Sequence, residues 1–217
     1  MTPRARLAVL ASGGGSNLQA IADYLRALGT EAPAELALVV SDRRAAGALA
    51  RAARLGVPAV HLPAAEGDRL GDLLGEHRIT HVALAGYLRL IPTDVVRTFR
   101  GRMLNVHPAL LPAFGGPGMY GPRVHQAVLA KGARISGPTV HFVSEHYDEG
   151  AIIAQWPVPV HDDDTAETLG ERVLKVEHQL YPLCVAGVAA GAITLDDAGR
   201  VRGAPALSFE HFVDDHD

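Results

Sequence analysis

An asparagine and a histidine two residues apart, Asn105 and His107 in Leu104-Asn-Val-His-Pro-Ala-Leu-Leu-Pro112, carry the clearest chemical signal in this chain. Positions i and i+2 of a strand share a face. Pro108 keeps His107 extended and ends the backbone ladder. Placed together at a strand end, the amide could donate a hydrogen bond to a developing oxyanion while the imidazole moves a proton, as acyl transfer requires. A plainer alternative stands beside this: a histidine satisfied by its own loop. Asp148 follows another expected strand, the one containing His141, in Thr139-Val-His-Phe-Val-Ser-Glu-His-Tyr-Asp-Glu-Gly150. A carboxylate near an imidazole favours its protonated form, although Asp148-Glu149-Gly150 could equally be a solvated turn.

A second constellation is Ser12-Gly-Gly-Gly-Ser-Asn17, between an apolar run and a helical pattern. Backbone N–H groups and the helix dipole at such a turn attract an anion, and glycine lets the main chain approach it closely. A dinucleotide fingerprint needs a third glycine where this chain has Leu18, and Ser41-Asp42-Arg43-Arg44 does not supply the expected acidic residue. A single phosphate on a small ligand fits better, and a turn needing glycine only for its shape is the alternative. Neither lysine, Lys131 or Lys175, follows a glycine, which excludes a Walker A loop. None of the histidine spacings matches a metal motif, so no metal is expected. Asp162-Asp-Asp164 reads as helix capping, and Cys184 as a small core residue.

These residues need a scaffold of alternating strands and helices. Strands are expected at 7–11, 36–41, 57–62, 81–85, 102–106, 138–143 and 152–160, with a hairpin at 193–195 and 200–202. Helices are expected at 16–28, 45–55, 69–77, 92–99, 124–130 and about 165–190. Capping boxes are read at Ser16/Gln19 and Asp164/Glu167, and Gly29 as a C-terminal cap. The pattern predicts a single-domain, Rossmann-like α/β fold: a mainly parallel twisted sheet, helices on both faces and a short C-terminal hairpin. Its ligands would bind beyond the strand carboxyl ends, after Ala11, Ala85 and Val106. The segment from His107 to Arg123 holds four prolines and four glycines, and an irregular loop of this length is usually functional.

The 217 residues, 48% hydrophobic, suit one domain with a core of its own. The net charge of −4 gives no general pull toward nucleic acid or anionic membrane. One cysteine fits a reducing compartment. The apolar run Leu7–Ala11 is too short for a signal peptide, and nothing approaches the roughly 18–20 apolar residues of a membrane span. The expectation is a cytoplasmic protein without membrane or nucleic-acid partners.

SGGGSNLQAI, LAGYLRLI, LNVHPALLPAF, HQAVL, GPTVHFVSEHYDEGAII and VEHQLYPL, in this order, resemble the phosphoribosylglycinamide formyltransferase family of purine biosynthesis. The resemblance covers residues 6 to about 195. Asn-x-His-Pro-x-Leu-Leu-Pro with the later aspartate is shared by the wider formyltetrahydrofolate-using group. The glycine turn and VEHQLYPL are narrower signals for the glycinamide ribonucleotide branch. The resemblance implies Asn105, His107 and Asp148 as the catalytic trio, and Gly15, Ser16, Asn17 and Glu177 on the ribonucleotide. It implies Arg69, Leu88, Arg89, Leu90, Ile91 and Asn105 on the folate, with His141 as a neighbour of the site. It further implies 10-formyltetrahydrofolate as co-substrate, no permanently bound cofactor, and small-molecule partners for a monomer or homodimer. One domain would then comprise a phosphate-binding half at about 1–100, a folate and catalytic half at about 101–195, and a tail at 196–217. Two segments depart from the family pattern: Gly115–Pro122 is longer than usual, and the stretch between Leu62 and Arg69 is compact. Rival readings are methionyl-tRNA formyltransferase and formyltetrahydrofolate hydrolase, for whose usual extra domains this length leaves no room. A non-catalytic phosphosugar-binding module would leave Asn105, His107 and Asp148 unused.

Overall fold

Alternation along the first strand decides which side of the sheet each residue serves. In β1 (Ala5–Leu10), Leu7 and Val9 join one buried cluster while Ala8 and Leu10 join another. A strand apolar on both faces belongs inside a sheet covered by helices on both sides. The computed structural model describes residues 4–203, so the expected tail lies largely outside the described residues.

The other strands are β2 (Ala34–Ser41), β3 (Ala59–His61), β4 (His81–Leu84), β5 (Met103–His107), β7 (Thr139–Phe142) and β8 (Ile152–Gln155). With β1 they form one seven-stranded sheet in the order β3-β2-β1-β4-β5-β7-β8. The β3 to β5 portion is parallel, whereas β7 and β8 are added antiparallel. Chain order therefore reverses at β1 and β4, where a crevice opens beyond the strand ends. Antiparallel pairing sets Asn105 opposite His141 and His107 opposite Thr139. Short β6 (Ile135–Ser136) pairs with β9 (Val158–Pro159), and β10 (Thr194–Leu195) with β11 (Val201–Arg202), the expected hairpin.

One face is covered by α1 (Ser16–Leu28), α2 (Gly47–Leu55), α5 (Pro122–Ala130) and α6 (Ala166–Ala189). The other is covered by α3 (Leu70–Glu76) and α4 (Thr93–Thr98). Leu169, Val173, Val176, Leu180 and Cys184 form the apolar stripe of α6 at steps of three and four. Buried Tyr181 on that helix donates its single hydroxyl proton to a site between the Leu84 and Leu104 carbonyls, 2.9 and 3.1 Å away. That contact ties α6 to the carboxyl end of β4 and to the neighbouring strand β5.

Several local expectations shift. Helix α1 has no side-chain cap: Gly15, left-handed at φ 78°, precedes Ser16, the first helical residue. A Cβ on Gly15 would stand 2.8 Å from the Ala48 Cα, so crossing of the turn and α2 fixes this glycine. At α6 the capping box is Thr165 with Thr168, not Asp164 with Glu167. Asp164 is instead taken by Arg172 in two 2.8 Å contacts. The strand expected over 152–160 divides at Trp156-Pro157 into β8 and β9, because Pro157 has no N–H for the ladder. The helix expected from 69 starts at Leu70, after a 3₁₀ segment at Ala64–Arg69.

Candidate active site

The carboxyl ends of β1, β4 and β5 open into a cavity of about 670 Å³. Its wall includes the glycine turn, the 84–91 and 116–122 segments, the β7–β8 connection and one face of α6. A concave space of this size is typical of small-molecule sites. Asn105, His107, Asp148, His141, Asn17 and Glu177 all reach it.

Around Asn105, His107 and Asp148 nearly every polar atom has a partner. His107 is 3% exposed. Its Nε2 lies 2.8 Å from the Phe114 carbonyl, which can only accept, so Nε2 carries a proton. Its Nδ1 faces Asp148 Oδ2 at 3.4 Å. The Gly116 N–H donates to that same Oδ2 at 2.8 Å. His141 donates from Nδ1 to the Phe142 carbonyl at 2.8 Å, which leaves Nε2 to accept from Asn105 Nδ2 at 3.1 Å. Asp148 Oδ1 lies 3.7 Å from that Nε2, too far for a hydrogen bond.

These contacts set the protonation balance. Burial pushes the Asp148 carboxyl upward, but His141, His107 and the Gly116 N–H outweigh it and hold the group below the ordinary carboxylate value. For His107, burial dominates and lowers the pKa, with the neighbouring His141 adding to the drop; Asp148 and the Phe114 carbonyl push the other way. Asp148 thus favours the protonated form of His107, the direction expected of a neighbouring carboxylate, but burial opposes it more strongly. Burial favours the neutral imidazole, and Nδ1, beside a carboxylate, is the atom placed to take a proton.

The backbone holding this arrangement is unusually constrained. Phe114 and Asp148 both adopt φ of 58°, which costs non-glycine residues on the order of 1–3 kcal/mol. Thr139 donates to the Ala109 carbonyl at 2.7 Å and accepts the Leu111 N–H at 3.0 Å. Gln155 Nε2 reaches the Leu111 carbonyl at 2.8 Å. Together they fold the chain after Pro108 so that the Phe114 carbonyl returns to His107. A Cβ on Gly115 would stand 2.6 Å from Leu111 Cδ2, and one on Gly150 would run into the Phe142 carbonyl.

The end formed by the glycine turn is less complete. Asn17 Nδ2 donates to Glu177 Oε2 at 2.7 Å, joining α1 to α6. Asn17 Oδ1 is buried without a partner. Burial raises the Glu177 carboxyl to about 7, with the Asn17 bond opposing. Arg51 of α2 donates from Nε to the Gly14 carbonyl at 2.8 Å and holds the turn from behind. A Cβ on Gly13 or Gly14 would meet nothing within 4 Å. Packing thus does not require glycine at those two positions, although both line the cavity.

Of the positions matched to folate, Leu88, Arg89, Leu90 and Ile91 line the cavity beside Asn105. Ile91 is buried, whereas Leu90 is 53% exposed. Arg69 does not reach it: its side chain is exposed and pairs with Glu66 at 2.5 Å. The compact 62–69 segment forms the 3₁₀ turn that carries Arg69.

Four contributors were not legible beforehand. Thr139 and Gln155 act across a strand pairing that has no local sequence signature. His125, known only as part of HQAVL, lines the cavity with its Nδ1 unpartnered. Asp42, noted only for failing a dinucleotide pattern, accepts from Ser12 Oγ at 2.5 Å. Among the described residues, no group of three or more His, Cys, Asp or Glu could hold a metal ion.

A family model described as Formyl transferase matches residues 5–185. The chain belongs to the formyl transferase family. It is 43% identical over 204 residues to the chloroplastic phosphoribosylglycinamide formyltransferase of Arabidopsis thaliana, covering 90% of this chain and 69% of the relative. With the Vigna unguiculata protein of the same name it shares 45% identity over 185 residues, or 82% of this chain and 59% of that relative. The chain thus spans less than two thirds of the Vigna protein's length. Among solved structures, glycinamide ribonucleotide transformylase 1 from Symbiobacterium toebii aligns with a TM-score of 0.85 and 39% identity, covering 93% of this chain and 95% of that one. The family expected from the motifs and the fold expected from the strand–helix alternation both hold for this member.

Proposed function

We propose that this protein transfers a formyl group from 10-formyltetrahydrofolate to the primary amine of glycinamide ribonucleotide, a step of purine biosynthesis. The observation that carries the reading is one cavity joining two different ends. One gathers Asn105, His107, Asp148 and His141; the other is an open glycine turn beside Asn17 and Glu177. Relatives bearing the phosphoribosylglycinamide formyltransferase name support the choice of substrates.

The neutral amine attacks the formyl carbon and produces a tetrahedral oxyanion. Asn105 Nδ2 has two protons; one is given to His141, and the other is free for that oxygen. The attacking nitrogen must lose a proton as the C–N10 bond breaks and N10 gains one. His107 Nδ1 accepts the first, stabilised by Asp148 as the ion pair forms, and returns it to N10, directly or through water. No covalent enzyme intermediate is needed. Gly15, Ser16, Asn17 and Glu177 would bind the ribonucleotide, with its phosphate at the glycine turn. Leu88, Arg89, Leu90, Ile91 and Asn105 would bind the folate. Arg69 enters the folate set only if its side chain leaves Glu66.

In this reading the phosphate-binding half is about 1–100 and the folate and catalytic half about 101–195. No helix among the described residues is long and apolar enough to cross a membrane. A cytoplasmic location and purely small-molecule partners belong to the same proposal; the two plant relatives are named as chloroplastic. The test supplies purified protein with 10-formyltetrahydrofolate and either glycinamide ribonucleotide, charged initiator tRNA or water alone. Release of tetrahydrofolate only with the ribonucleotide is expected. Release with tRNA or water alone would transfer the protein to a different reaction of the same group.

A further inference from the structure

Asp42 lies just past β2, outside the cavity wall, with its side chain only 2% exposed. Its two oxygens face different partners. Oδ1 accepts from Ser12 Oγ at 2.5 Å, and Oδ2 accepts from Arg89 Nε at 3.1 Å. An ionised carboxylate can only accept, so the Ser12 hydroxyl proton must point toward Asp42. Its lone pairs then accept the Leu88 N–H at 3.0 Å. The Ser12 N–H in turn donates to the Gly86 carbonyl at 3.0 Å. The segment after β4 is therefore pinned at Gly86, Leu88 and Arg89, with Asp42 organising the last two contacts.

We propose that Asp42 is a positioning residue for the co-substrate: it sets the Leu88 backbone through Ser12 and aims Arg89 along the cavity wall. The proposal rests on the folate reading of the 88–91 segment. Arg89 bonds Asp42 through Nε alone, which leaves its terminal amino groups uncommitted on a side chain that lines the cavity and is 59% exposed. An arginine of that length and exposure would otherwise sample many rotamers, and ordering it on binding costs affinity. The carboxylate removes that cost in advance. Its effect should fall on one substrate only, because Asn17, Glu177 and the Gly13–Gly14 backbone do not bond to Asp42.

Asp42→Asn separates the two functions of the carboxylate. The amide oxygen can still accept from Ser12, whereas the amide nitrogen meets Arg89 Nε donor to donor. Steady-state kinetics should show a KM for 10-formyltetrahydrofolate raised about 5- to 10-fold, as expected for a lost charge-assisted hydrogen bond. The KM for the ribonucleotide and kcat should stay within about twofold. Calorimetric binding of tetrahydrofolate should weaken by the same factor as the folate KM. In an Arg89→Gln background, Asp42→Asn should add little, because both changes remove one contact. An unchanged folate KM, equal rises in both KM values, or fully additive losses would each overturn the positioning role. Wild-type protein that turns over no 10-formyltetrahydrofolate would overturn the functional reading and this inference with it. Normal wild-type turnover with an unaltered Asp42→Asn variant would overturn this inference alone.

Discussion

Glycines serve opposite purposes at the two ends of the cavity. Gly115 and Gly150 are demanded by the protein itself, since a Cβ there would strike Leu111 or the Phe142 carbonyl. Gly13 and Gly14 face open space, and only a molecule arriving in the cavity would give their bare backbone a purpose. The polar atoms follow the same division. Around His107 and Asp148, His107 Nε2 is held by the Phe114 carbonyl and Asp148 Oδ2 by the Gly116 N–H, while at the other end Asn17 Oδ1 stays unpartnered and Glu177 is driven toward neutrality. One end is finished by the fold, as chemistry needing fixed geometry requires. The other is left for a ligand to finish.

Substitutions at the finished end should cost the most. Asp148→Asn keeps an acceptor for Gly116 but removes the charge that stabilises protonated His107. A kcat lowered by roughly 10²-fold or more is expected in steady-state assays, with both KM values little changed; a kcat within about threefold of wild type would remove Asp148 from the proton path. Gly150→Ala should act on stability first. The β7–β8 connection must move away from Phe142, at a cost of about 2–3 kcal/mol in denaturant unfolding. An unfolding midpoint equal to wild type would show that the connection yields freely.

The unfinished end predicts the reverse pattern. Gly13→Ala should leave the thermal midpoint almost unchanged, within about 0.5 kcal/mol. The ribonucleotide KM should nonetheless rise roughly tenfold, the equivalent of about 1.4 kcal/mol, as a methyl group occupies the approach to the turn. Loss of stability with unchanged KM would instead make the glycine a scaffold residue. Glu177→Gln probes the same end through pH. The folded carboxyl titrates at about 7 against an ordinary value of 4.5, so between those values the folded state binds more protons than the unfolded one. Stability from this group is present below about 4.5 and lost as pH rises through 7. The neutral variant removes that slope and should be more stable than wild type above pH 7, on the order of 3 kcal/mol. His81, lowered to about 4 mainly by burial, contributes the opposite slope. It does so in both proteins and cancels in the difference; parallel stability curves would place Glu177 ionised in the folded protein.

Legibility in the sequence followed the range over which each feature is decided. Asn105 and His107 could be paired because strand alternation is local. The mainly parallel sheet followed from repeated strand–helix units, and the glycine turn from its place between a strand and a helix. Asp148 reached His107 only through the antiparallel return of β7, and its left-handed φ is invisible in composition. Thr139, Gln155 and Asp42 act on segments 28 to 47 residues away, a separation at which spacing carries no signal. The misread caps have two origins: Gly15 answers to Ala48 across the fold, whereas Asp164 is taken by Arg172 two turns into the helix it precedes, leaving Thr165 to cap it.

Single-turnover formyl transfer with both substrates saturating, compared among wild type, Gly13→Ala and His107→Ala, tests the separation of binding from chemistry most directly. Once the ribonucleotide saturates, Gly13→Ala should match wild type within about threefold, whereas folded His107→Ala should be slower by roughly 10²–10⁴-fold. A His107→Ala rate near wild type, or a Gly13→Ala rate as low as that expected for His107→Ala, would contradict it.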